Sequence, residues 1–168
     1  MLERAIFKHR NQPYYLVADA YDGQYIRDCI ITLLNSSTGK YKDTVNADGH
    51  TLGINGNAAL LAYIGHNGLM DFQLTEDYKN VDGRRRDCIM LACYSKRYFS
   101  YYDRDANINP LVWTTNLMCP EAYTLHDAVE AYIRHEQPSL IRAAAVKAYD
   151  QYQKCGLHAA GNLLVSGW

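Results

Sequence analysis

At 168 residues and 19.1 kDa, with 48% hydrophobic and 21% charged residues, the chain can bury a core within one domain covering 1–168. A formal charge of −1 provides no whole-chain field for nucleic acid or anionic lipid, and Arg84-Arg85-Arg86 between Asp82 and Asp87 reads as a solvated loop. No run reaches the roughly 18 apolar residues of a membrane helix. The N-terminal stretch lacks the apolar centre of a signal peptide, and the five cysteines have no metal-type spacing; reduced thiols in a cytoplasmic protein are expected, with no metal and no cofactor.

In chain order, Pro13 precedes Tyr-Tyr-Leu-Val-Ala-Asp, a short run rich in β-formers expected as a first buried strand. Asp22-Gly23 marks a turn. Apolar residues at 26, 29, 30, 33 and 34 then form a helical stripe ended by Asn-Ser-Ser-Thr-Gly39. Residues 40–57 are polar and glycine-bearing, a loop with room for one short β piece. Asn57 to Gly65 is expected as a buried parallel strand, Leu69 to Leu74 as a small hairpin strand, and Asp87 to Cys93 as a second buried strand. Residues 94–109 read as a Tyr-, Asp- and Asn-rich loop, and Pro110 opens a fourth strand, Leu-Val-Trp-Thr-Thr. From Pro120 the apolar period becomes helical through Ile133. A second helix follows over about 139–154, then a short tail helix. The sum is an α/β fold with core strands buried on both faces.

Two of these strands stop at residues able to do chemistry. Ala-Tyr-Ile-Gly-His66-Asn67-Gly68 ends in an imidazole, and Cys-Ile-Met-Leu-Ala92-Cys93 ends in a thiol. Reactive groups of a parallel sheet gather at its carboxyl edge, and a thiol with an imidazole is the minimum equipment of a cysteine hydrolase. The amides of Cys93 and of the residues after His66 are the candidate oxyanion donors. His126 and His135, nine apart, lack the one-face spacing of metal ligands, and Asp103 and Asp105 lack the rest of a calcium loop. Cys29 and Cys88 fall inside apolar runs as core residues; Cys119 and Cys155 have no evident part. A nucleotide or flavin domain is disfavoured, because Ala20-Tyr-Asp-Gly23 offers a single glycine where a phosphate loop would stand.

A strand ending in His near Gly, followed by a strand ending in Ala-Cys, resembles the caspase-like cysteine peptidases, the clan of caspases, legumain, clostripain and gingipain. Pro110-Leu-Val-Trp-Thr114-Thr115-Asn116 and Pro120-Glu121-Ala-Tyr123 are similar to the strand and loop that follow the nucleophile in legumain-type members. The resemblance spans about residues 14–134. It implies a three-layer α/β/α sandwich around a mostly parallel sheet, and a cysteine endopeptidase cutting after a charged or polar residue. His66 would be the catalytic imidazole, Cys93 the nucleophile, and Asn67 with Gly68 the turn and an oxyanion amide. Thr114, Thr115 and Asn116 would line the specificity pocket, with Asp19 or Asp22 reading the substrate side chain. The implied partner is a protein or peptide substrate, with no nucleic acid or membrane, and a homo-oligomer or partner subunit is open. The chain departs from the family by placing Asn67 between His66 and Gly68, by following Ser95 with Lys96, and by a short gap from His66 to Cys93. A non-catalytic caspase-like binding or scaffold module is therefore the alternative.

Overall fold

The computed structural model describes residues 1–168 and is a mixed α/β structure. An antiparallel hairpin of β1 (Glu3–Lys8) and β2 (Tyr15–Ala20) leads through a 3-10 turn, Gly23–Tyr25, into α1 (Ile26–Ser37). A second hairpin joins β3 (Lys42–Ala47) and β4 (His50–Asn55). The central sheet runs β5 (Leu60–Ile64), β6 (Arg86–Leu91), β7 (Ile108–Thr114) and β8 (Leu164–Val165), adjacent in that order. The first three are parallel and β8 is antiparallel. Helix α2 (Ser95–Asp103) links β6 to β7; α3 (Ala122–Ile133), α4 (Pro138–Gln153) and α5 (Leu157–Leu163) follow β7. No helix is long and apolar enough to cross a membrane.

Strand alternation divides the core in two. On β6, Cys88, Met90 and Ala92 pack with Ile30, Leu33 and Leu34 of α1 and Phe99 of α2. Ile89 and Leu91 face the other way, onto Ala128 and Ala131 of α3, Ile141 and Ala145 of α4, and Ala160 of α5. Helices on both faces explain why β6 reads as a continuous apolar run rather than an alternating one. A parallel β5–β6 pair needs a crossover, and residues 65–85 supply it without an α-helix. The segment instead lays Leu69, Leu74 and Tyr78 into the first core.

Four sequence expectations are corrected. The run after Pro13 is a strand, yet it pairs only with β1 in a peripheral hairpin, outside the central sheet. Its partner is Arg4-Ala-Ile-Phe of β1, where the Arg4 guanidinium grips its cross-strand partner Asp19 at 2.6 and 2.7 Å and fixes the register. Leu69 to Leu74 is a 3-10 turn and coil whose two leucines anchor the crossover. Residues 95–103 are helix despite weak propensity in Ser, Tyr and Asp, because Phe99 is fully buried beneath them. Residues 40–57, expected as loop with one short β piece, form a complete hairpin.

The amino end of the sheet is held by ions. Buried Arg86 donates to Asp82 at 2.6 Å and to the Gly56 carbonyl at 2.8 and 2.9 Å, and Lys42 joins Asp82 at 2.6 Å. These cations hold the Asp82 carboxyl well below the usual carboxylate range. Replacing Arg86 with Gln strands that carboxylate and the Gly56 carbonyl, and is expected to lower unfolding free energy by about 3 kcal/mol or more in denaturant titrations.

Asp103, fully buried at the end of α2, takes a 3.1 Å bond from Ser37 on one oxygen while the other has no partner. Burial pushes its carboxyl up to about 7, against about 3.9 when unfolded. The folded chain therefore binds this proton more tightly, so stability falls as pH rises from about 4 to about 7 and levels off above. The sign is opposite for Asp82, whose contribution is lost as pH falls below about 4. Asp103→Asn should flatten the first dependence, worth up to about 4 kcal/mol, in unfolding midpoints taken from pH 4 to 8.

Candidate active site

The ladder between β5 and β6 runs from Leu60 opposite Asp87 to Ile64 opposite Leu91, and Gly65 N–H extends it to the Leu91 carbonyl at 3.1 Å. The next residues on the two strands, His66–Asn67 and Ala92–Cys93, are thereby neighbours. Gly65 has φ of 150°, a conformation L side chains rarely adopt, and it swings the chain out of the strand just before His66. Asn67 is fully buried and closes the junction: its Nδ2 donates to the Cys93 carbonyl at 2.6 Å, and its Oδ1 accepts from Leu69 N–H at 3.2 Å. The inserted residue between His and Gly is thus a buckle joining the two strand ends. Gly68 is required by close approach, since a Cβ there would stand 2.8 Å from the Phe72 ring.

Cys93 stands on a sharp strand-to-helix turn. Tyr94 adopts the left-handed conformation, φ 51° and ψ 32°, costly for a residue with a side chain, and α2 begins immediately after it. Buried hydroxyls over-determine the turn. Ser95 Oγ donates to the Met90 carbonyl at 2.7 Å and accepts from Thr114 N–H at 2.8 Å. Thr114 Oγ1 donates to the Ala92 carbonyl and accepts from Ser95 N–H at 3.0 Å. Tyr94 N–H reaches the Asn116 carbonyl at 2.9 Å.

The His66 ring is exposed, and its Nε2 lies 2.6 Å from Asp71 Oδ2. Asp71 follows the 3-10 turn Gly68–Met70, which folds the chain back on the histidine. The sequence reading missed it; the Asn67-Gly68 turn was the available signal. Cys93 is half-buried, with Sγ accepting from Met118 N–H at 3.4 Å and donating to the Met118 carbonyl at 3.6 Å. No hydrogen bond joins Sγ to His66. The amides of Asn67 and Cys93 donate to no protein acceptor, but Asn67 is fully buried, so of the two expected oxyanion donors only Cys93 keeps any exposure.

The expected substrate-binding residues separate. Thr114 is fully buried in the turn network and faces no ligand. Thr115 and Asn116 are exposed beside the turn, Thr115 Oγ1 donating to the Asn162 carbonyl at 2.7 Å. Asp19 is neutralised by Arg4, and Asp22 caps the first 3-10 turn through Gln24 N–H at 3.0 Å. No group of His, Cys, Asp and Glu is arranged to hold a metal. A cleft of about 560 Å³ lies away from these residues, between the hairpins, lined by Lys8, Arg10, Tyr15 and His50 among others.

Asn67→Ala removes both bonds of the buckle and leaves Leu69 N–H buried without an acceptor. A loss of about 1–3 kcal/mol is expected in chemical denaturation.

No protein-family model, curated protein or solved structure matches this chain.

Proposed function

We propose that the chain is a cysteine endopeptidase of the caspase-like type, cutting peptide bonds after a charged or polar residue. One observation carries the reading: an imidazole residue and a thiol residue emerge from adjacent parallel strand ends, tied together through Asn67 and the Cys93 carbonyl. A strained turn held rigid at the sulfur, and helices packed on both sheet faces as in a three-layer sandwich, support it. In this mechanism Cys93 Sγ attacks the scissile carbonyl, its proton passing to His66. The tetrahedral oxyanion is met by the Cys93 amide. His66, oriented by Asp71, then protonates the departing amine, and water hydrolyses the thioester.

A second reading, a non-catalytic module of the same fold, has its own support: the thiol is bonded to Met118 rather than to His66. Alkylation and turnover separate the two. Burial pushes Cys29 up to about 11 and Cys88 well above the ordinary thiol range, so both stay protonated at neutral pH. Iodoacetamide at limiting dose is expected to modify Cys93 ahead of exposed Cys119 and Cys155, by peptide mapping; modification no faster than at those two favours the binding module.

In a peptide-library cleavage assay, Cys93→Ala should abolish hydrolysis. His66→Ala should lower kcat/KM by about 10²–10⁴-fold, and Asp71→Asn should lower kcat more than it changes KM. Turnover surviving in Cys93→Ala overturns the peptidase reading.

A further inference from the structure

Two of the five cysteines, Cys93 and Cys119, meet at one corner of the molecule. Cys93 Sγ lies 3.6 Å from the Met118 carbonyl oxygen, and Cys119 is the next residue. Adding the fixed span of one peptide unit puts the Cys119 Cα within about 6–7 Å of that sulfur. Cys119 N–H donates to the Tyr149 hydroxyl at 3.2 Å. Cys29 and Cys88, by contrast, pack on the opposite face of the sheet. The loop carrying Cys119 is exposed at Thr115, Asn116, Leu117 and Cys119, and only Met118 is buried. A small shift of this loop brings the two sulfurs to disulfide distance, which needs Cβ atoms about 3.5–4.5 Å apart.

We propose that Cys93 and Cys119 form a thiol switch operated by hydroperoxides, in which a disulfide between them masks Cys93. The proposal rests on Cys93 being the reactive thiol of the candidate site. In the first step Cys93 sulfur attacks the peroxide O–O bond. An S–O bond forms, the O–O bond breaks, and the leaving oxygen takes the thiol proton as water or alcohol, giving a sulfenic acid. Cys119 sulfur then attacks the sulfenic sulfur; the S–S bond forms, the S–O bond breaks, and hydroxide leaves with the Cys119 proton as water. Two electrons pass from the thiols to the peroxide, and a dithiol reductant returns them.

Cys119 is the resolving thiol because one peptide separates it from the atoms already holding Cys93. Cys155, exposed just past the end of α4, is the competing partner. The test treats the purified full chain with hydrogen peroxide, blocks free thiols, and maps peptides without reduction. A Cys93–Cys119 linkage is expected as the main product. Cys155→Ser should leave it intact, whereas Cys119→Ser should abolish it and drive Cys93 on to sulfinic acid. Circular dichroism of Cys119→Ser, an exposed position, checks that the fold is retained. A Cys119–Cys155 linkage with Cys93 still free, or a Cys93 that stays reduced while other thiols oxidise, overturns the switch. The linkage is read by mass and needs no turnover. A missing linkage in a chain that cleaves peptides defeats the switch alone, and a linkage in a chain that cleaves none defeats only the peptidase reading.

Discussion

Parallel pairing between β5 and β6 decides which two strand ends meet, and the pairing tolerates no slip. Leu61 and Tyr63 face one core while Ala62 and Ile64 on the same strand are exposed. Moving β5 by one residue would turn the two large side chains to water and bury the smaller face, at a cost of several kcal/mol. The register is therefore set by apolar burial well inside the sheet, far from any reactive atom. His66 and Cys93 inherit their proximity from it. The Asn67 buckle then locks what the register has brought together, with one amide serving both strands.

The two ends of the sheet are satisfied by different chemistry. At the amino end, Arg86, Asp82 and Lys42 compensate one another, and the buried guanidinium collects backbone carbonyls from two elements. At the carboxyl end, the hydroxyls of Ser95 and Thr114 and the amide of Asn67 hold backbone groups with no formal charge. Neutral clamps fix geometry without adding a charged partner beside the sulfur. The carboxylate of the site, Asp71, sits on the outer side of the histidine, where solvent screens it. Ionic fixation is kept at one edge and directional neutral bonds at the other, where an accurately aimed turn matters more than attraction.

Much of this was legible in the residues. The apolar runs at 57–65 and 87–93 contain β5 and β6, and the change to helical period after Pro120 marks α3 and α4. Burial on both faces makes β6 conspicuous, whereas β5, with Ala62 and Ile64 exposed, shows through its length and flanking glycines. Pairing choices were harder to read. Tyr15–Ala20 looks like a core strand, but Arg4 captures Asp19 and draws it into a hairpin, a long-range ion pair that local pattern cannot disclose. Helix α2 was hidden because its stability comes from the burial of Phe99 rather than from propensity. At the site, Thr114 was visible as a polar residue after a strand, yet only packing shows that its hydroxyl is consumed by Ala92 and Ser95. Asp71 was invisible because its role depends on a fold-back of five residues that one 3-10 turn creates.

The Met118 peptide links the reactivity of the thiol to the position of a loop. It donates to Cys93 Sγ and accepts from it, so both hydrogen-bonding functions of the thiol are met by a single backbone unit. An electrophile approaching Sγ must displace that carbonyl or come from the side away from it. Displacing Met118 requires movement of the segment after Thr115, the segment that also carries Cys119. Exposure of the sulfur is therefore tied to one stretch of chain, anchored at Thr115 to Leu163, at Asn116 to Tyr94 and at Cys119 to Tyr149.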